Sequence, residues 1–209
     1  MRVSLIVAGV LLLRLSAANA RHPPPNPLRF ACDSFPASLT AATLARRYGA
    51  ANVVSESINE GEGEFARGTV LFPTDSSRRV EIAWRDTIAR QRPEFVRVWT
   101  ARTQWETPEH ITIGTRLRTL EHLNGRPFRL AGFAFDGSGS VISWSGGTLG
   151  RTTPDGCSFY AGLEPDPRDA AEARWERQVT GDAAFSSAYP AMQHLDPRVQ
   201  RMELRYSRK

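Results

Sequence analysis

Helix-like and strand-like periods alternate along the chain. In "SLTAATLARRYG" (38–49), Ala41, Leu44, Ala45 and Tyr48 fall on one face at the 3.6-residue period of a helix. Ser38 is placed to cap that helix and Gly49 to end it. The polar, acidic stretch "VVSESINEGEGEF" reads as a solvated loop. "TVLFP" then reads as a strand, "TDSS" as a turn, and Val80, Ile82 and Trp84 alternate on a second strand. A third strand fits "EFVRVWT" (94–100). There Val96 and Val98 point one way, and Phe95, Arg97 and Trp99 the other.

The second half repeats this order. Thr115 can cap a helix in which Leu117 and Leu120 face inward, and Asn124-Gly125 ends it. "PFRLAGFAFD" and "SVISW" form a hairpin about "DGSG", and "CSFYAGL" supplies a third strand. Leu44 and Gly49 correspond to Leu120 and Gly125, and Asp75…Trp84 to Asp136…Trp144. Trp84 and Trp144 each follow an isoleucine two residues earlier (Ile82, Ile142). They are therefore expected on the same strand face as those isoleucines, packed on their own unit's helix.

The predicted class is α+β: two tandem helix-plus-antiparallel-hairpin, three-strand units (about 38–101 and 113–164) in a single domain over 36–209. A tail (165–209) adds a helix near Ala170 to Gln178. It ends on a strand whose Met202, Leu204 and Tyr206 alternate with Arg201, Glu203 and Arg205.

The first twenty residues change the setting. Arg2, the apolar run Val3 to Leu13 and the small-residue Ala18-Asn19-Ala20 have the order of a secretory signal. The run is well short of the roughly 20 residues a membrane span needs. Cleavage after Ala20 would leave an extended, proline-rich lead (21–35) and a periplasmic or secreted product. Arg21, rather than a cysteine, follows the cleavage site, so no lipid anchor is expected. An even pair of cysteines in an exported chain, Cys32 and Cys157, predicts a disulfide.

Composition adds limits. A hydrophobic content of 41%, with ten Phe and five Trp, can fill a core, which excludes a disordered chain. Losing Arg2 and Arg14 with the signal lowers the formal charge from +5 to +3. No basic block exceeds two residues, so no nucleic-acid partner is expected.

Candidate chemistry is sparse. There is no G-x-S-x-G elbow, and "DGSGS" reads as a tight turn. His110, His122 and His194 belong to no metal-binding pair, so no metal and no cofactor is expected. Glu60, Glu62 and Glu64 in "EGEGE" could bind a cation weakly or, with Asp136, supply carboxylates to a hydrolase. The aromatic and basic strand is the better candidate: Arg97, Trp99, Arg102 and Trp105 make a binding surface if Val96 and Val98 bury the other face.

The run "LNGRPFRLAGF…D…GSVISWSGG", with "TVLFPTDSSRRVEIAWRD" upstream, resembles a family of small exported bacterial proteins without an assigned activity. The tandem helix–hairpin order is similar to the folds of beta-lactamase-inhibitor proteins, a likeness of fold that does not carry function. The expected function is an exported, non-catalytic domain binding a protein or cell-envelope component. The alternative is a small secreted hydrolase using Glu60, Glu64 or Asp136.

Overall fold

In the computed structural model, the described residues are 28–61, 63–135, 137–166 and 170–207. The signal-like segment, Glu62 and Asp136 lie outside them. The chain runs β1 (Leu28–Arg29), α1 (Ala41–Tyr48), β2 (Val53–Gly61), β3 (Glu64–Leu71), β4 (Val80–Asp86), β5 (Gln91–Val98) and β6 (Trp105–Glu106). It continues α2 (Leu117–Asn124), β7 (Arg129–Ala131), β8 (Val141–Ser143), β9 (Cys157–Glu164), α3 (Ala170–Glu176), β10 (Ala184–Ser186), α4 (Pro190–Leu195) and β11 (Arg198–Tyr206).

The class is α+β. Six strands form one antiparallel sheet in the order β2-β3-β4-β5-β11-β9, and β10-β7-β8 form a smaller one. The last strand joins the halves, because β11 lies between β5 and β9. The two helices feed different strand arrangements. A four-strand meander succeeds α1, whereas α2 leads into the β7–β8 hairpin of the separate sheet and then to β9 in the large one.

One face of the large sheet is apolar because the alternation demands it. Leu71, Val80, Ile82, Trp84, Val96, Val98, Met202 and Leu204 are buried in a core shared with Leu44 of α1 and Leu117 and Leu120 of α2. Phe30 and Phe35 of the N-terminal segment join it. Cys32 and Cys157 are bonded, tying that segment to β9.

Four expectations need correction. α1 begins at Ala41, not Ser38, because Thr40 makes a reciprocal capping box with Thr43. The α2 N-cap is Arg116, which makes no side-chain cap; the Thr115 hydroxyl accepts from the Thr112 N–H, the Asp196 carboxylate accepts from the first-turn Arg118 N–H at 3.0 Å, and Gly125 closes the helix in the left-handed region. The acidic "loop" is the β2–β3 hairpin, and its turn is short enough for Gly61 to pair with Glu64. Ile142 is exposed although Trp144 is buried. β8 ends at Ser143, and the chain turns at Ser145 (φ 55°), so Trp144 leaves the strand alternation and swings back into the core. There it meets Phe128 at 5.0 Å and stacks on Phe159 at 5.9 Å.

Candidate functional site

The opposite face of the large sheet is polar, and its registers build a row across five strands. Val70 pairs with Glu81, Glu81 with Arg97, Arg97 with Glu203, and Glu203 with Tyr160. Glu81 and Glu203 are each 4% exposed and Arg97 7%. Burial of charge is tolerated when each group is paired. Here Arg97 Nη2 donates to Glu81 Oε2 at 2.9 Å, and Arg205 Nε donates to Glu203. Arg201 Nε lies 3.6 Å from Glu203 Oε2. Burial lowers the Arg201 pKa from its ordinary value, and the Glu203 carboxylate opposes that drop.

The β2–β3 hairpin leans over this row. Ile58, Val70, Ala83 and Phe95 form a small apolar cluster beneath it. The approach is close enough that a Cβ on Gly68 would come within 2.4 Å of Ile58 Cδ1 and 2.7 Å of the Ile82 carbonyl oxygen. The Asn59 carbonyl accepts a hydrogen bond from Arg97 Nη2, fixing the hairpin tip to the floor. From the other side comes the turn between β7 and β8. The Leu163 N–H donates to the Gly139 carbonyl at 2.9 Å, and Arg201 Nη2 donates to Ser140 Oγ at 2.9 Å.

Between hairpin and turn lies a cleft of about 610 Å³. Phe95, Arg97 and Glu203 lie on its floor. Arg201, Arg205, Gly137 and Ser140 form one wall, and Glu60 and Glu64 belong to the other. The guanidinium of Arg205 also lies over the Tyr160 ring, 4.9 Å from its centroid.

The four residues expected to bind are not brought together. Arg97 and Trp99 share the polar face, with the Arg97 guanidinium between Phe95 at 4.8 Å and Trp99 at 5.8 Å. Val96 and Val98 are buried on the other face, in keeping with the alternation. Trp99 is 54% exposed beside the cleft. Arg102 sits exposed on the turn after β5. Trp105 leaves the set: it is 1% exposed, packs against Phe35 at 5.5 Å, and donates its indole N–H to the Arg78 carbonyl.

Arg201, Glu203 and Arg205 are site residues that periodicity does not single out, although it places them on one face of the final strand. Glu60 and Glu64 reach the cleft through a hairpin whose sequence has the look of a loop. Among the described residues no cluster of His, Cys, Asp and Glu could hold a metal ion, and no helix is long and apolar enough to cross a membrane. Compared with known proteins, the chain matches no family model, no curated protein and no solved structure.

Proposed function

We propose that the protein is an exported, non-catalytic binding domain whose ligand, a protein or another component of the cell envelope, engages the polar face of the large sheet. One observation carries this reading: a cleft of about 610 Å³ at which a clamped acidic hairpin and a glycine-rich turn converge over arginine side chains. The Cys32–Cys157 bond supports an oxidising compartment, periplasmic or extracellular. In this reading the two helix-plus-hairpin units (about 38–101 and 113–164) act as the scaffold, and exposed Trp99 beside the cleft widens the contact.

The alternative, a hydrolase, has Glu60 and Glu64 on the cleft wall in its favour. Against it, the buried carboxylates Glu81 and Glu203 are each held by an arginine rather than turned free toward a substrate.

The test is capture from the organism's own envelope extract by immobilised wild type and by Arg205→Glu, with hydrogen exchange on the captured complex. A binding domain should retain a component that Arg205→Glu releases, with added protection at 94–97 and 201–205. Equal capture by both proteins, without protection there, would reject the cleft as the site.

A further inference from the structure

The two walls of the cleft carry opposite charge, and this bears on what it holds. On one wall, Arg201 commits Nη2 to Ser140, and Arg205 commits Nε to Glu203, while the Arg205 side chain is half exposed. Each guanidinium keeps further N–H donors, since it has five in all. On the other wall, Glu60 and Glu64 are exposed on the hairpin and form no ion pair with a described residue. On the floor, Arg97 is engaged with Glu81, and the single Glu203 carboxylate is shared between Arg201 and Arg205, which leaves the basic wall with one positive charge in excess.

A ligand of one sign would be drawn to one wall and repelled by the other, and a neutral ligand would gain little from either. A ligand with separated charges gains from both. The volume of about 610 Å³ lies within the range of small-molecule sites, and Phe95 gives the floor an apolar surface. The acidic wall is held in place: Arg97 grips the Asn59 carbonyl at the hairpin tip, and Ile58 packs beneath Gly68. Preorganisation of this kind reduces the entropy lost on binding.

We propose that the cleft binds a short zwitterionic peptide, its carboxylate on Arg201 and Arg205 and its ammonium on Glu60 and Glu64. The proposal rests on the cleft being the binding site and names the ligand's chemistry.

Calorimetric titration with trialanine, N-acetyl-trialanine, trialanine amide and the doubly capped peptide tests it. Trialanine should bind with a Kd below about 1 mM, and each single cap should weaken binding at least about tenfold, or ~1.4 kcal/mol. Glu60→Gln with Glu64→Gln should abolish the penalty of N-acetylation and keep that of amidation. Arg201→Gln with Arg205→Gln should do the reverse. If that arginine variant fails to fold, the wild-type cap series and the glutamate variant still decide. No binding of trialanine, or equal binding of all four peptides, overturns the proposal. Either result leaves the broader binding role standing if Arg205→Glu still releases an envelope component.

Discussion

Three tryptophans are each locked by the indole N–H. Trp84 donates to Thr69 Oγ1, Trp105 to the Arg78 carbonyl and Trp144 to the Phe159 carbonyl, all at 2.8 Å. A buried indole with its one donor satisfied contributes its whole ring to the core without a polar penalty. Replacing any of the three with alanine should therefore cost ~3–5 kcal/mol. Trp99→Ala removes a ring that is 54% exposed and should stay within about 0.5 kcal/mol of wild type. Urea melts of the four variants check this: an unchanged Trp105→Ala midpoint would place that ring outside the core. Residue type alone could not sort these side chains. Trp99 and Trp105 both come soon after "EFVRV", but β5 ends at Val98, and a turn then directs Trp105 onto β6 beside Phe35.

At the scale of elements, legibility tracks burial on a single face. α1, α2, β4, β5 and β11 show clean apolar periods because each lays one face on the shared core. β2 does not, since Ile58 is its one fully buried residue and its acidic end hangs over the polar face. A strand without a buried stripe looks like a loop. The charged row is hidden for a related reason: alternation places Arg201, Glu203 and Arg205 together, but only strand pairing shows that Arg97 and Glu81 complete it. The turn that closes the cleft gives an element-scale prediction. Gly139 has φ 63°, and a Cβ there would fall 1.8 Å from the Leu163 carbonyl oxygen. Gly139→Ala should push the turn off β9 at a cost of about 3 kcal/mol, combining left-handed strain with overpacking. Amide exchange at Leu163, whose N–H donates to the Gly139 carbonyl, should quicken; unchanged protection would show that the turn tolerates the methyl group.

At the scale of the whole molecule, the N-terminal segment straps the fold. It reaches β9, the turn before it and β11 by three links: the Cys32–Cys157 bond, the Asp155 carboxylate accepting from the Ala37 N–H at 3.1 Å, and the Tyr206 hydroxyl donating to the Phe35 carbonyl. The disulfide spans 125 residues, and in the chain-entropy account a closed loop of that length stabilises by about 4–5 kcal/mol. Cys32→Ala with Cys157→Ala should lose most of that, leaving Phe30 and Phe35 to hold the strap by burial. The Asp155 link should add a pH signature. The Thr153 hydroxyl and then the Ala37 N–H hold the Asp155 pKa below its ordinary 3.8. A carboxylate depressed in the folded state stabilises above its unfolded pKa, and that contribution fades as pH falls through the folded value. The stability gap between wild type and Asp155→Asn should thus be full near neutral pH and close in acid, below about pH 4. The double cysteine variant should show a deficit that persists across the same range, because a disulfide does not titrate. Urea titrations of all three proteins from pH 7 to pH 3 separate the two links, and a gap for Asp155→Asn that stays constant into acid would mean the carboxylate's charge plays no part in holding the strap.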